Sequence, residues 1–184
     1  MHGALAWVTG DGHLVAVEDL PIIEVRGKNR VSSAGLAVMM AMRPVSIVVI
    51  EGVGAMPRRG KDGTEIKQGA ASSFAFGYGA GIIEGVAAGS ALPLEIVWAA
   101  TWKRKAGVPK DKGASRQMAS RIWPGVASRF ARVKDDGRAE AALLARWYAL
   151  QGAPLNIKPD AVFVRGAGDM DLDAREAAIM RETI

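Results

Sequence analysis

The stretch that most constrains the fold is residues 45–52, VSIVVIEG. Val and Ile suit the pleated surface of a β-strand, and a nearly unbroken apolar run indicates a strand covered on both faces. Glu51 follows directly, and a carboxylate at the end of a buried strand is costly unless a metal ion or a base pairs with it. Because binding sites often lie at strand ends in α/β sheets, Glu51 is a candidate site residue; the alternative is a polar residue that opens a loop.

The composition excludes several classes of protein. The 184 residues are enough for one domain with its own core, and 49% of them are hydrophobic. There is no cysteine, which excludes disulfides and thiolate metal sites and fits a reducing cytoplasm. Since no apolar run reaches the length of a membrane span and no leader opens the chain, we expect a cytoplasmic protein without membrane contact.

Charge is unevenly distributed along the chain. Residues 102–134 contain ten Lys or Arg and one acid, whereas residues 135–184 contain nine acids and six bases. A basic block followed by an acidic cluster suggests a polyanion-binding surface beside a cation site. The alternative is a solvated helix face.

Local patterns predict an α/β order of elements. In chain order they are a hairpin over 1–21 around Asp11-Gly12, a strand at 22–25, a basic turn at 27–30 and a helix capped by Ser32 or Ser33. After the strand that ends in Glu51 come a loop at 53–71, a helix opened by Ser72 or Ser73, a strand at 94–98, a helix at 114–123 and a last helix opened by Asp135 or Asp136. This order predicts an antiparallel meander feeding a mixed sheet. One domain is expected over 1–150, with a C-terminal extension over 151–184 that contains a short helix at 173–182.

Three glycines recur at every fourth position of the helix that follows the loop: Gly77, Gly81 and Gly85. They place a smooth stripe on one helix face, where the sheet or a second subunit can approach closely. Gly77-Tyr78-Gly79 lies inside this helical pattern and not between a strand and a helix, so no nucleotide cofactor is predicted.

Two carboxylates in the last helix complement Glu51. Asp136 and Glu140 are four residues apart and can share one helix face; the alternative is ordinary capping and a solvated Glu. If this helix packs beside the central strands, the three carboxylates meet. Without His or Cys, such a set favours Mg²⁺ or Mn²⁺, and two such ions can hydrolyse a phosphodiester.

Four segments together resemble the RuvC-type Holliday junction resolvases, in particular the phage-type members of the ribonuclease H-like superfamily. They are VVIEGV at 48–53, SSFAFGYGAGIIEG at 72–85, Trp102-Lys103 with the downstream Lys112, and DDGRAEAALLA at 135–145. The resemblance covers about residues 1–148. It implies a mixed five-stranded sheet flanked by helices, and a cytoplasmic homodimer, in a bacterial or phage-infected cell, that makes paired cuts in four-way DNA junctions.

The resemblance also implies roles for individual residues. Glu51, Asp136 and Glu140 are the implied metal ligands, with Asp135 as a possible substitute for Asp136, and Lys103 and Lys112 contact or polarise the scissile phosphate. The residues expected to contact DNA are Arg58, Arg59, Lys61, Phe74, Lys103, Lys105, Lys112 and Arg116. For Phe74, which follows the basic loop, the choice lies between a wedge inserted between bases and packing in the core or a dimer.

One departure from the family pattern leaves the activity open. The family's first strand carries an Asp in a pattern like Asp-Pro-Gly, just before the segment that resembles HGALAWV at 2–8. The present sequence begins after that point. The explanations are a truncated chain, a start assigned too late, or a true loss of this Asp ligand. The alternatives to a junction nuclease are therefore a catalytically impaired DNA-binding protein of the same fold, and a nuclease for other branched DNA.

Overall fold

The computed structural model describes residues 3–52, 58–59, 65–66, 70–109, 111 and 113–151 of the chain. Its strands are β1 (Ala4–Val8), β2 (Leu14–Asp19), β3 (Ile22–Val25), β4 (Lys28–Val31), β5 (Val48–Glu51), β6 (Arg58–Arg59), β7 (Glu65–Ile66) and β8 (Leu94–Val97). Its α-helices are α1 (Ser33–Ala41), α2 (Ala70–Gly89), α3 (Ala99–Lys105), α4 (Ala114–Ile122) and α5 (Asp136–Leu150), and 3₁₀ helices span Pro124–Phe130 and Val133–Asp135. The protein is mixed α/β, as predicted. The C-terminal extension expected from residue 151 lies, after Gln151, outside the described residues.

The hairpin predicted around Asp11-Gly12 is confirmed. β1 and β2 pair antiparallel, with Ala4 opposite Asp19. The turn closes through a 2.9 Å bond from the Gly12 N–H to the Thr9 carbonyl. Gly12 has a φ of +88°, a conformation that costs a glycine little.

A second hairpin replaces the basic turn predicted at 27–30. Residues Lys28–Val31 form β4, antiparallel to β3, with Val25 opposite Lys28. The connection is only two residues, Arg26 and Gly27, and both have positive φ, at +52° and +72°, as a type I′ hairpin turn requires. The prediction was wrong because three of the four β4 residues are polar, and only Val31 is buried.

Helix α1 begins and ends as predicted. The Gly35 N–H donates to Ser32 Oγ at 3.1 Å, so Ser32 is the N-cap. The helix ends at Ala41, before Pro44. Leu36 and Met40, one turn apart, are buried and anchor a hydrophobic cluster beneath it.

The strand that ends in Glu51 pairs with β8. The two strands run parallel, with Val48 opposite Leu94 and Glu51 opposite Val97. The ladder continues through a 2.8 Å bond from the Gly52 N–H to the Val97 carbonyl. Because parallel strands end at the same edge, the chain leaving β8 enters α3 next to Glu51.

Alternate residues of β1 and β5 face two different cores. Leu5 and Val48 pack on the cluster of α1, together with residues of α2. Ala6 and Val49, the next residue of each strand, pack on the larger cluster formed by α3, α4, α5 and Phe130. Since successive side chains of a strand point to opposite faces, β1 and β5 lie between two helical layers.

The strands pair in twos. The pairings are β1–β2, β3–β4, β5–β8 and β6–β7, and the mixed five-stranded sheet is not formed among the residues that the structure describes. The short β6–β7 ladder lies inside the segment that the sequence predicted to be an unorganised loop. Packing on common cores, and not a shared backbone ladder, relates β1 to β5.

The second half of the chain is helical. The helices at 114–123 and from Asp136 are confirmed, and Met118, Ile122 and Trp123 pack on the larger core as expected. Helix α3 was not predicted, because three consecutive basic residues end its seven-residue span and no apolar period marks it. Pro124 ends α4 and occupies the first turn of a 3₁₀ helix.

Helix α2 carries the predicted glycine stripe on an open face. At Gly77, Gly81 and Gly85 an added Cβ would meet no atom of the described residues within 4 Å. Among the described residues, the glycine stripe therefore does not pack against the strands, which was one of the two contacts expected for it. Across the described residues, no helix is both long and apolar enough to cross a membrane.

In the isolated subunit, at a protein concentration too low for self-association, Gly81→Ala is expected to raise the free energy of unfolding by about 0.5–1 kcal/mol, since alanine loses less backbone entropy in a helix. Gly12→Ala is the matched control and is expected to destabilise, because Gly12 has positive φ and its Cβ would lie 3.3 Å from Leu150. Urea denaturation measures both. A loss of stability in Gly81→Ala would contradict an open face and indicate a backbone packed against it.

Candidate functional site

Glu51 ends β5 exposed to solvent, but its carboxylate is bound to a buried side chain. Trp102, on α3, donates from its indole N–H to Glu51 Oε2 at 2.9 Å. Trp102 is fully buried in the larger core. Because Glu51 is exposed, the cost predicted for a buried carboxylate at this strand end is not incurred, and the hydrogen bond instead satisfies the buried indole N–H of Trp102.

Asp136 and Glu140 lie one turn apart at the start of α5, as predicted. The helix begins there because Asp136 directly follows a short 3₁₀ turn that ends at Asp135, and acidic groups are favoured at a helix N-terminus. Both side chains line one open cavity of about 390 Å³. The other lining residues are Lys103, Pro109, Asp111, Gly113 and Ser115.

Lys103 is the partner of Glu140. Its Nζ lies 2.5 Å from Glu140 Oε1, and Ser115 Oγ lies 3.5 Å from the same oxygen. The Lys103 ammonium also lies 5.5 Å from the centre of the Trp102 ring. The lysine that the resemblance assigned to the scissile phosphate therefore lies in the cavity and neutralises one of its carboxylates.

Arg116 is the partner of Asp136. Arg116 Nε donates to Asp136 Oδ1 at 2.6 Å, and a second guanidinium nitrogen donates to the Ala131 carbonyl at 3.3 Å. Arg116 is thus drawn toward a carboxylate twenty residues away in sequence, and its expected contact with DNA stays a prediction. Gly113 makes room for it: φ there is +80°, and a Cβ would lie 2.7 Å from the guanidinium.

Asp135, the suggested substitute for Asp136, has a different environment. It is only 2% exposed, and Arg132 donates to it from the side chain at 2.9 Å and from the backbone N–H at 2.9 Å. The Arg132 side chain in particular holds the pKa of Asp135 below its usual range. Asp135 is thus part of an ion-pair network and does not line the cavity of Asp136 and Glu140.

The same network ties α5 to β2. Arg138 donates to both carboxylate oxygens of Asp19, at 2.7 and 2.6 Å, and lies 3.8 Å from Asp135. Hydrogen bonds from Arg138 lower the pKa of Asp19, and those bonds raise the pKa of Arg138 in turn. These contacts fix the start of α5, and with it the backbone of Asp136.

The three predicted metal ligands are not brought together. Among the residues described, no group of three or more His, Cys, Asp or Glu side chains is placed to hold a metal ion. Instead, each of the three carboxylates accepts a hydrogen bond from a different protein donor. The donor set suits a hard divalent ion in one respect: three acidic residues, Asp111, Asp136 and Glu140, are among those that line the cavity.

The predicted DNA contacts are only partly described. Lys61 and Lys112 lie outside the described residues, and for Arg58 and Arg59 the structure describes the backbone alone, in β6. Lys105 is exposed at the end of α3. Phe74 is 68% exposed and stacks on Tyr78 at 6.1 Å between ring centres, which excludes the core packing considered for it.

Sequence reasoning assigned no role to three residues of the site: Trp102, Asp111 and Ser115. Trp102 appeared only as the neighbour of Lys103, yet an indole N–H requires a partner when buried, and that requirement was a usable signal. Asp111 stood out as the single acid in the basic block. Ser115 carries no local signal.

In comparisons with known proteins, no family model matches the chain, and no curated protein matches it significantly. The likeness to junction resolvases therefore rests on the four sequence motifs.

Proposed function

We propose that this chain is a Holliday junction resolvase, a metal-dependent endodeoxyribonuclease that makes paired cuts in four-way DNA junctions. The observation that carries the proposal is that Lys103, Asp136 and Glu140, three residues named from the motifs, line one cavity. The cavity is open and polar, as a site for a DNA backbone must be. The proposed fold is the ribonuclease H-like one, with a mixed five-stranded sheet, and it is supported by the packing of β1 and β5 on common cores.

In this proposal Glu51, Asp136 and Glu140, the three carboxylates that the motifs name, would hold Mg²⁺ or Mn²⁺. Two such ions, when bound, would activate a water and stabilise the leaving oxygen of the phosphodiester. Lys103 donates to a non-bridging phosphate oxygen from the cavity wall and neutralises its charge. Arg116, which pairs with Asp136, orients that carboxylate and adds positive charge for the phosphate.

The proposed partner is branched DNA. Exposed cations surround the helical half of the chain: Arg104, Lys105, Arg121, Arg129, Arg132 and Lys134. They are carried by α3, α4 and the two 3₁₀ helices, with Arg132 directly before the second of these. Helices α3 and α4 also contribute Lys103 and Ser115 to the cavity. Such a surface binds phosphates without sequence preference, which suits an enzyme that recognises junction shape.

We also infer a homodimer, because paired cuts require two sites. The surface that suits a second copy is the exposed face of α2 formed by Phe74, Tyr78 and the open glycines Gly81 and Gly85. The Arg30 guanidinium lies 4.9 Å from the centre of the Tyr78 ring on this face. Its aromatic rings are exposed, and the glycines allow close approach of a backbone.

Incubation of the protein with a synthetic four-way junction and Mg²⁺ tests the proposal. We expect symmetric nicks that leave 5′-phosphate and 3′-hydroxyl ends, at rates well above those for flaps and linear duplex. Glu51→Gln should bind the junction as the parent does and cut it far more slowly. Equal rates on junctions and flaps would instead favour a nuclease for branched DNA in general.

The competing proposal is a DNA-binding protein of the same fold with little or no catalysis. It is favoured by the pairing of each predicted ligand with a protein donor in place of a three-carboxylate cluster in the described part of the chain. A parent protein that binds the junction tightly but never cuts it, with Mg²⁺ or Mn²⁺, would establish this alternative.

A further inference from the structure

Trp102 carries a polar atom into the middle of a hydrophobic core. Its neighbours in that core include Val97, Phe130 and Leu143, all buried. A buried indole N–H without a partner costs free energy, and here the partner is the carboxylate of Glu51. A hydrogen bond to a charged acceptor is stronger than one between neutral groups. This contact therefore restrains the Glu51 side chain more than an exposed side chain is normally restrained.

The residue after Trp102 restrains a second carboxylate. Lys103 pairs with Glu140 while its ammonium lies over the Trp102 ring. Two consecutive residues of α3 thus hold one carboxylate from β5 and one from α5. The link from Glu51 through Trp102 and Lys103 to Glu140 joins elements that are 89 residues apart in sequence (positions 51 and 140).

We propose that Trp102 is a positioning residue, which fixes the Glu51 carboxylate through its indole N–H and, with Lys103, sets its place relative to Glu140. The inference rests on the proposed function, in which these carboxylates serve one phosphodiester-cleaving site. Trp102 touches neither substrate nor ion and acts through Glu51. Its rigidity is the reason it suits the role: a fully buried ring cannot change rotamer without opening the core.

The test compares Trp102→Phe with Trp123→Phe. Both variants lose an indole from the same core, but Trp123 contacts Phe130 and no carboxylate of the site. Loss of a group that orients a ligand typically costs about 10–100-fold in metal affinity. We therefore expect Trp102→Phe to weaken Mn²⁺ binding, measured by electron paramagnetic resonance, by that factor. Trp123→Phe should remain within about twofold of the parent. Junction affinity without metal should be unchanged in both.

A second measurement leaves the core intact. The five tryptophans give five indole N–H resonances in a ¹H–¹⁵N spectrum. The Trp102 resonance is assigned as the one that is missing from the spectrum of Trp102→Phe, or by selective isotope labelling of Trp102. Glu51→Ala should move this resonance by more than its line width and leave that of Trp123 in place. A resonance that does not respond to Glu51→Ala would overturn the proposal even if Trp102→Phe failed to fold.

The outcomes separate the inference from the function on which it rests. A parent that binds Mn²⁺ and cuts junctions, with Trp102→Phe equal to it in Mn²⁺ affinity, overturns the positioning role alone. A parent that neither binds Mn²⁺ nor cuts a junction overturns the proposed function, and the positioning role with it. If Trp102→Phe binds Mn²⁺ more weakly while Trp123→Phe does not, and Glu51→Ala shifts the Trp102 indole resonance, the results support both the positioning role and the proposed function.

Discussion

Glu140→Gln is expected to slow junction cleavage by on the order of 10³-fold or more, the scale seen when a group that acts in the transition state is removed. The substitution keeps the shape of the side chain and removes its charge. In the proposed site that charge holds the divalent ion and balances Lys103, whose ammonium lies 2.5 Å away. Single-turnover cleavage of a labelled junction with Mg²⁺ measures the effect.

Stability and DNA binding should be spared in this variant. The Glu140 side chain is 37% exposed, and ion pairs at such positions contribute about 0–1 kcal/mol. Glu18→Gln is the matched control, because Glu18 is 43% exposed and pairs with one cation, Arg43, at 3.0 Å outside the cavity. It should cut at the parental rate. Undiminished cleavage by Glu140→Gln would remove Glu140 from the catalytic site and contradict the proposed function.

The parts of the fold that the sequence predicted are those coded by local signals. The apolar run before Glu51, the cap at Ser32 and the turn at Gly12 each depend on residues adjacent in the chain, and each is confirmed. β4 was missed for the same reason: its polar residues carry no strand pattern, and it exists because a two-residue turn folds it back on β3. Pairing between distant strands had no local signal at all.

In the candidate site, too, local spacing predicted some features, and contacts between distant elements were not predicted. The four-residue spacing of Asp136 and Glu140 predicted that they share a face, and both line the cavity. The partners of these carboxylates come from other helices, so spacing could not reveal that Arg116 turns toward Asp136. The predicted meeting of Glu51 with Asp136 and Glu140 depended on the relative placement of β5 and α5, which no short motif specifies.

Asp135→Asn is expected to lower the free energy of unfolding by about 1.5–3 kcal/mol, because it removes the charge of a buried acceptor that receives hydrogen bonds from the Arg132 backbone N–H and guanidinium. Asp135 is 2% exposed and binds the Arg132 guanidinium through both oxygens. Asp19→Asn is the control: Asp19 also binds an arginine through both oxygens, but it is 64% exposed, so its loss should cost no more than about 1 kcal/mol. Urea denaturation at neutral pH compares the two.

The same pair predicts how stability depends on pH. Arg132 lowers the pKa of Asp135 in the folded protein, so the unfolded chain binds the proton more readily. The contribution of Asp135 is therefore fully present above the unfolded pKa of about 4 and is lost as the pH falls from there through the folded pKa. Between about pH 5 and pH 2, stability should fall more gently in Asp135→Asn than in the parent. Parallel curves for the two proteins would mean that Arg132 does not bind Asp135 in solution, and that the start of α5, where Asp136 lies, is fixed by the Arg138–Asp19 pair alone.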